Sequence, residues 1–266
     1  MLAAGIPDAV CQPPHYYYFT MIKPIFADEI NAQLLDAVSQ YRNRDAWRAW
    51  GMHNVREQGS CILLEGPPGC GKTSAAKYMA RLIKKGFKQL NVAQIGGGEP
   101  GATEKNIQTF FDDARSRNNM TIFLDECDHI LRRRSDITGD GLTWLVGTCE
   151  EIITQVNTYK GLVIMATNLV EVLEPALADR FMSIVHVGRP AHEQRVAIWK
   201  QKIPLQFPIK FTPEQIEELA TYDLSGRQIE MVLVNVASSA IRKGRKPSMA
   251  MFNTFAAKEE GKHLTA

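Results

Sequence analysis

Short apolar runs alternate with helically spaced apolar residues along the middle of this chain. Between the second and third runs, apolar residues at helical spacing predict an amphipathic helix over Thr103–Arg115. Alternating strands and helices indicate an α/β fold, a five-stranded parallel sheet flanked by helices. The runs that predict its strands are Cys61–Glu65, Asn91–Ile95, Thr121–Leu124, Leu162–Ala166 and Ser183–Val187.

The segments on either side of this region have the apolar spacing of helices. Upstream, Asp28–Tyr41 predicts an amphipathic helix, and Arg42–Gly59 is expected to contain a second one. Downstream of Pro190 no further strand is predicted. Two capping boxes, Thr212–Gln215 and Ser225–Gln228, indicate helix starts there. We therefore expect a small all-helical domain of about three helices that packs on the α/β core.

These patterns divide the chain into four parts. An extended N-terminal tail, 1–24, contains the aromatic stretch Pro13–Phe19, which is expected to dock on this chain or on a neighbour. The α/β core is expected over 25–190, the small helical domain over 191–250 and a C-terminal tail over 251–266.

The composition is typical of an intracellular globular protein. With 45% hydrophobic residues, 266 residues suffice for one large domain and a small appendage. A net charge of +2 does not favour nucleic acid, and the short cluster Arg132–Arg134 is interpreted as a solvated loop or inter-subunit contact. No apolar run has the length of a membrane span, and residues 1–10 lack the basic stretch of a signal peptide. The five cysteines have no C-x-x-C spacing, so a reducing, cytoplasmic location is expected.

The stretch Gly66–Thr73 fits the phosphate-binding pattern G-x-x-x-x-G-K-[ST], with a predicted strand before it and a predicted helix after it. Glycines let backbone N–H groups wrap a phosphate, and the helix N-terminus adds its positive dipole end. Lys72 is expected to reach the β- and γ-phosphates of ATP, and the Thr73 hydroxyl to bind Mg²⁺. The predicted nucleotide-binding residues are Gly66, Pro67, Pro68, Gly69, Cys70, Gly71, Lys72, Thr73 and Ser74.

An acidic pair, Asp125 and Glu126, follows the third apolar run. Asp125 at the strand end is expected to hold Mg²⁺ opposite Thr73, and Glu126 to polarise a water for attack on the γ-phosphate. Downstream of a phosphate loop, this position favours catalysis over a surface turn. Two interpretations remain open for Asp128: it supports the metal site, or it caps a helix. Together the motifs predict Mg²⁺-dependent ATP hydrolysis.

A phosphate-loop core followed by a helical lid resembles the AAA+ ATPases, and within them the AAA clade, over about residues 25–245. Several motifs in the right order carry the resemblance. Asn168, which follows the fourth predicted strand, is similar to the sensor-1 residue that would hold the attacking water or the γ-phosphate. Leu173–Phe181 resembles the second region of homology. By that resemblance Arg180 would be the arginine finger, which reaches the nucleotide of the next subunit.

Three features distinguish the chain within this family. Many members end the second region of homology in Pro-Gly-Arg-Phe, and this chain departs from that pattern with Ala178–Phe181. The loop Gly96–Thr103 lacks the aromatic residue that grips polypeptide in many AAA unfoldases. It is similar to the Gly-rich pore loop of rubisco activases, which implies a limited remodeller rather than a processive unfoldase. Gly226 and Arg227 resemble the lid of AAA+ ATPases that remodel HORMA-domain proteins, so Arg227 would sense the γ-phosphate and Gly226 would lie at the nucleotide.

The resemblance implies an ATP-driven ring, a hexamer, that remodels or disassembles a protein substrate of unknown identity. A finger acting on the neighbouring subunit requires a head-to-tail interface that closes into a ring. The alternative is a DNA-transaction ATPase of the clamp-loader or helicase-loader type. The near-neutral charge disfavours it, as does Asp179–Phe181 in place of the Ser-Arg-Cys of clamp-loader subunits. A third hypothesis, a nucleotide switch without turnover, is disfavoured by the intact Glu126.

Overall fold

Helices and strands alternate through the first part of the chain, and helices alone follow. The computed structural model describes residues 23–52, 60–92, 101–128, 142–168 and 181–264. The core elements are α1 Asp28–Arg42, α2 Arg44–Ala49, β1 Ser60–Glu65, α3 Lys72–Leu82, β2 Phe87–Asn91, α4 Ala102–Ser116, β3 Thr121–Asp125, α5 Leu142–Thr158, β4 Leu162–Thr167 and β5 Phe181–His186. The lid elements are α6 His192–Lys202, α7 Pro213–Ala220, α8 Gly226–Arg242 and α9 Met249–Leu264. Within the described ranges, no helix combines the length and the apolar character needed to cross a bilayer.

The five strands form one sheet in the order β2-β3-β4-β1-β5, and every described pair is parallel. This confirms the predicted parallel α/β sheet. Strands β1, β3 and β4 each have two neighbours and are buried along nearly their whole length, which is why they appear as continuous apolar runs. The carboxyl ends of parallel strands share one edge of a sheet, so the segments after Glu65, Asp125 and Thr167 converge there.

Helices cover both faces of the sheet and fix the position of this edge. On one face α1 and α3 enclose an apolar cluster with β1, β3 and β4. On the other face α4 and α5 pack against the same strands. The buried helix residues are Leu34, Ala37, Val38, Ala75, Ala76 and Met79 on the first face, and Ile107, Phe111, Ala114, Ile152 and Val156 on the second.

Strand β2 lies earlier in the chain than the sequence indicated. It spans Phe87–Asn91 rather than Asn91–Ile95, and it pairs in register with Thr121–Asp125. As an edge strand it has one neighbour, and its residues are partly buried or exposed. Its apolar anchor is Phe87, whose ring stacks on that of Phe123 at a centroid distance of 5.8 Å. A half-buried strand has no continuous apolar run. The strand was therefore predicted at the more apolar residues that follow it.

The lid contains four helices where the sequence indicated about three. They share one apolar cluster, and each helix contributes at least one fully buried residue to it: Trp199 from α6, Leu219 from α7, Val236 from α8 and Phe252 from α9. The fourth helix, α9, continues to Leu264, so most of the segment assigned to a C-terminal tail is helical. It packs because Met251, Phe252 and Ala256 recur on one face and are buried in the cluster.

Candidate nucleotide-binding site

The phosphate loop joins β1 to α3, and its glycines have backbone conformations that other residues rarely adopt. Gly66, Gly69 and Gly71 have φ values of 136°, 78° and 101°. Gly66 also lies against the end of β5, since a Cβ built on it would be 2.2 Å from the Val187 carbonyl oxygen. Any side chain there would displace the backbone. Because α3 begins at Lys72, the end of the loop coincides with a helix N-terminus, which attracts anions.

Lys72 is buried at the centre of the site, with 8% of its surface exposed. Its Nζ donates hydrogen bonds to the carbonyl oxygens of Gly66 at 2.7 Å and Pro67 at 3.0 Å, and to Asn168 Oδ1 at 2.8 Å. Burial lowers the pKa of Lys72, because the charged ammonium loses its hydration. A partly desolvated cation surrounded by oxygen acceptors fits the phosphate oxygens of a nucleotide, which would supply a countercharge.

Asp125 and Thr73 form an oxygen pair beside Lys72. Burial raises the pKa of the Asp125 carboxyl, while hydrogen bonds from the Glu126 N–H and the Thr73 side chain oppose that rise. Gln89 Nε2 also donates to Asp125 Oδ2 at 3.1 Å. A carboxylate next to a hydroxyl is a donor set of the kind that Mg²⁺ prefers. The residues present therefore fit the expected cation.

A sharp change of backbone direction at the end of β3 places Glu126. Its φ of 55° lies in the left-handed region, which a residue with a side chain adopts at a cost. The next residue, Cys127, points inward: it is fully buried, and its N–H donates to the Ala166 carbonyl oxygen at 2.9 Å. Glu126 itself is exposed, and its Oε2 accepts a hydrogen bond from Asn91 Nδ2 at 2.9 Å. The backbone and Asn91 together orient the carboxylate that the sequence predicts to be the catalytic base.

Asp128 is tied to the end of β4. Its Oδ1 accepts hydrogen bonds from the Thr167 hydroxyl and from the Asn168 N–H at 2.8 Å, and its Oδ2 accepts from Asn168 Nδ2 at 3.3 Å. Since Asn168 Oδ1 accepts from Lys72, these contacts form a continuous path from Asp128 to the phosphate loop. The sequence left two interpretations open for Asp128. Its contacts indicate a third, in which Asp128 positions Asn168.

Sequence reasoning missed the contributions of Asn91 and Gln89. Both lie on β2, the strand that the sequence placed too late in the chain. Their amide groups reach the carboxylates of Glu126 and Asp125 from the neighbouring strand. The available signal was weak: two amide residues near the carboxyl end of a strand that pairs with β3.

The lid contacts the phosphate loop through the start of α8. The Arg227 N–H donates to the Gly69 carbonyl oxygen at 3.3 Å. A Cβ built on Gly69 would lie 2.8 Å from Ser225 Oγ and 3.1 Å from the Arg227 Cβ, so the two segments leave no room for a side chain. The capping box predicted at Ser225 is present, with Gln228 N–H donating to Ser225 Oγ at 3.3 Å. Gly226 and Arg227 therefore lie beside the loop, as expected, and their roles toward a nucleotide stay predictions.

A second connection between core and lid runs through Asp223. Arg189 follows the core sheet, and its Nε and Nη2 donate to Asp223 Oδ2 at 3.1 Å and to the Asp223 carbonyl oxygen at 2.6 Å. Arg195 on α6 donates to Asp223 Oδ1 at 3.2 Å. Arg189 Nη2 also reaches Gln228 Oε1 at 3.3 Å, so the junction is tied to the first turn of α8.

Comparison with protein-family models identifies the domain that carries this site. A model for the ATPase family associated with various cellular activities (AAA) matches residues 62–189. The match begins within β1, includes the phosphate loop, Asp125, Glu126 and Asn168, and ends at the junction with the lid. The chain contains an ATPase domain of the AAA family. The predicted family, the fold class and the enzyme class, ATP hydrolysis, are thereby confirmed.

Curated relatives of this AAA ATPase include larger proteins. It is 30% identical over 194 residues to a proteasome-activating nucleotidase of Sulfurisphaera tokodaii, covering 70% of this chain and 49% of that protein. It is 33% identical over 211 residues to a cell division cycle protein 48 homolog of Archaeoglobus fulgidus, covering 76% and 28%. It is 27% identical over 237 residues to an ATP-dependent zinc metalloprotease FtsH 1 of Symbiobacterium thermophilum, covering 84% and 39%. The chain spans less than half the length of each of these relatives.

Several predicted features of the AAA ATPase lie outside the described residues. These are Arg180 with nearly all of the second region of homology, the cluster Arg132–Arg134 and the tail segment Pro13–Phe19. The same holds for 96–100 of the Gly-rich loop, whereas Thr103 is buried in the first turn of α4. Their roles stay predictions from the sequence.

Proposed function

We propose that this AAA ATPase assembles into a closed ring, a hexamer, and uses ATP hydrolysis to remodel or disassemble a protein substrate. The observation that carries the proposal is that the lysine of the phosphate-loop motif, an acidic pair and a polar residue from the next strand meet at one edge of the sheet. Lys72 and Asn168 are in direct contact, and Asp125 is in contact with Thr73. These are the parts that ATP hydrolysis requires.

Each of these residues has a proposed task. Lys72 and the loop backbone hold the phosphates, with Gly66–Ser74 and Gly226 as the nucleotide-binding residues. Thr73 and Asp125 hold Mg²⁺, which when bound neutralises charge on the phosphates. Glu126 polarises the attacking water, and Asn168 holds that water or the γ-phosphate.

The proposed ring rests on the resemblance at Arg180. An arginine finger supplied by a neighbouring subunit offsets transition-state charge and accelerates hydrolysis by about 10³–10⁵-fold in other phosphoryl-transfer enzymes. Each active site then lies between two subunits, and a monomer hydrolyses ATP poorly. Arg227 on the lid senses the γ-phosphate and couples nucleotide state to the angle between core and lid.

A protein substrate is favoured over DNA by two observations. The names of two relatives, a proteasome-activating nucleotidase and an ATP-dependent zinc metalloprotease, connect those proteins with protein degradation. The net charge of this chain, +2, provides little attraction for a polyanion. The Gly-rich loop Gly96–Thr103 favours limited remodelling of a complex over processive unfolding.

A trapping experiment tests the proposed output. Glu126→Gln keeps the size and hydrogen bonding of the side chain but removes the base, so we expect ATP binding without turnover and a long-lived substrate complex. Lys72→Ala removes the main countercharge to the phosphates and should bind neither nucleotide nor substrate. Tagged Glu126→Gln protein with ATP should retain specific proteins that Lys72→Ala, used as the matched control, does not. Wild-type hydrolysis by Glu126→Gln would show that the base is assigned wrongly.

Addition of nucleic acid to the ATPase assay distinguishes the DNA alternative. We expect duplex and single-stranded DNA to leave hydrolysis unchanged at low and at moderate salt. DNA binding that depends on phosphate contacts weakens steeply as salt rises. Strong, salt-sensitive stimulation by DNA would therefore contradict the protein-remodelling proposal and favour a loader-type ATPase.

A further inference from the structure

The lid has an open apolar groove on the side formed by the α6–α7 connection and the end of α8. We call it the lid groove. Its volume is about 530 Å³, within the range of about 300–1,000 Å³ that is usual for ligand pockets. Apolar residues form most of its lining: Pro204, Phe207, Pro208, Ala237, Ala240 and Ile241. It lies outside the region matched by the AAA family model, which ends at residue 189.

The floor of the lid groove is part of the packed core of the lid. The Phe207 ring makes an edge contact with Phe252 at a centroid distance of 5.9 Å, and Phe252 is fully buried. The Phe207 N–H donates to the Pro204 carbonyl oxygen at 2.9 Å, which fixes the connecting segment. The groove is therefore preformed, and a ligand would not need to order it before binding.

Large apolar side chains are exposed at this groove. Ile241, which lines it, is 82% exposed, and Leu205, in the connecting segment, is 85% exposed. These are the two most exposed large apolar residues in the described part of the chain. Exposed apolar residues next to a concave apolar surface are typical of an interaction site, whereas isolated ones need no explanation.

The lining of the lid groove includes two cations, Arg245 and Lys246, and no acid. Arg242, Lys243, Arg245 and Lys246 occur within five consecutive positions, and Lys210 lies on the opposite segment. No Asp or Glu occurs between Glu230 and Glu259, or between residues 203 and 212. Among the described residues, the ion pairs of the lid involve other cations: Arg189, His192, Arg195 and Lys202. The excess positive charge at the groove is therefore available to a partner.

Helix capping explains only part of this charge. Arg242 and Lys243 lie at the C-terminal end of α8, where cations complement the helix dipole. Arg245 and Lys246 lie beyond the helix. Gly244 has a φ of 58°, and the Arg245 N–H donates to the Ala240 carbonyl oxygen at 3.1 Å, so the chain turns back over the groove. Both of these later cations line the groove.

We propose that the lid groove binds an acidic, amphipathic segment of a partner protein. Aliphatic or aromatic side chains of the segment occupy the groove against Phe207 and Ile241, and its carboxylates face Arg245 and Lys246. Nucleic acid fits less well, because its charged backbone places no apolar group on an aliphatic floor, and among the lining residues the aromatic ring, Phe207, is half-buried. The proposal is independent of the chemistry at the nucleotide site.

Peptide selection on the full-length chain tests the proposal. A random peptide library displayed on phage is selected on the immobilised protein, and enriched peptides are synthesised with a fluorescent label. We expect enriched sequences to combine net negative charge with at least two large apolar residues. Anisotropy titrations then give their affinities. Neutral or basic sequences, or the absence of any enriched peptide, would overturn the proposal.

Variants locate the binding surface. Ile241→Glu and the pair Arg245→Glu/Lys246→Glu should each weaken the selected peptides by about tenfold or more, because apolar anchors and charge pairs both contribute. The control Lys200→Glu/Lys258→Glu makes the same charge change at exposed lid positions outside the groove and should leave affinity within about twofold. All variants should keep the basal ATPase rate, which shows that they fold.

Unchanged affinity for Ile241→Glu would mean that the groove is not the site. Two further probes distinguish other anions: a single-stranded oligonucleotide, and vesicles containing phosphatidylserine. Binding of either probe that is lost in Ile241→Glu, without a corresponding acidic peptide, would also overturn the proposal.

Discussion

At the residue scale, Asp128 shows how the site depends on side chains outside the recognised motifs. It accepts hydrogen bonds from Thr167 and from the backbone and side chain of Asn168. Asn168 in turn accepts from Lys72. Without Asp128, the Asn168 amide is held only by Lys72 among its described contacts, so its direction is less well fixed.

Asp128→Ala is therefore expected to lower kcat by about 10–100-fold, the range typical for loss of a positioning partner, with a smaller change in nucleotide affinity. Steady-state kinetics and titration with a fluorescent nucleotide separate the two effects. Asp128→Asn keeps an oxygen that can accept from Thr167 and the Asn168 N–H, and should restore part of the rate. Asp112→Ala is the matched control, because Asp112 is 71% exposed and pairs only with Arg115 on the surface of α4 among its described contacts. Equal losses of affinity and kcat in Asp128→Ala would contradict a positioning role.

At this scale, the sequence predicted the site residues whose chemistry depends on neighbours in the chain. The glycines and Lys72 of the phosphate loop form a contiguous pattern, and Asp125 and Glu126 follow an obvious apolar strand. It did not anticipate the left-handed backbone of Glu126 or its hydrogen bond from Asn91. Both depend on how β2 and β3 are aligned in the sheet, and the sequence of a single strand does not determine that alignment.

At the scale of secondary-structure elements, two helices of the lid begin with the same capping arrangement in different surroundings. Ser225 caps α8 beside the phosphate loop, and Thr212 caps α7 on the surface. In each case the cap accepts from an N–H three residues later at 3.3 Å. Comparing variants of these two caps separates the effect of a cap on the stability of the lid from its effect on the nucleotide site.

Ser225→Ala and Thr212→Ala should each lower the free energy of unfolding by about 1 kcal/mol, the typical value of an N-cap. Only Ser225→Ala should also weaken nucleotide binding, by roughly fivefold, the factor that about 1 kcal/mol represents. The reason is that the start of α8, with Arg227, is held against Gly69. Thermal unfolding and nucleotide titration of both variants check this. Equal nucleotide affinities in the two variants would contradict coupling through this contact.

Elements were predictable where burial is complete. The runs in β1, β3 and β4 are buried on both sides, and their apolar residues predicted them to within one residue at each end. The edge strand β2 is half-buried and was placed too late. Helix α9 was assigned to a tail, because its apolar residues are interrupted by Asn253 and Thr254 and become informative only against the rest of the lid.

At the scale of the whole molecule, the proposed ring predicts that defective subunits complement one another. Arg180→Ala should bind ATP nearly as well as the wild type and lose hydrolysis, since the finger acts on the neighbouring subunit. Lys72→Ala loses its own site but keeps its finger. Mixed rings of the two variants contain interfaces with an intact site on one side and an intact finger on the other.

Such mixtures should therefore recover part of the wild-type ATPase rate, measured across a range of mixing ratios. Arg180→Ala mixed with Glu126→Gln gives an independent combination, and each variant alone is the control. Stable mixed rings without recovered activity would argue against a finger supplied by the neighbour.

The position of α8 has a mechanical consequence. This helix of 17 residues begins beside Gly69 and ends at the lid groove, about 25 Å away. If α8 pivots as a rigid body about its start at the phosphate loop, a tilt of the helix by about ten degrees displaces its far end by about 4 Å. A small movement of the phosphate loop is thus amplified into a larger displacement at the far end of the lid. Because coupling between two sites is reciprocal, a load applied at that end would in turn bias the loop that holds the phosphates.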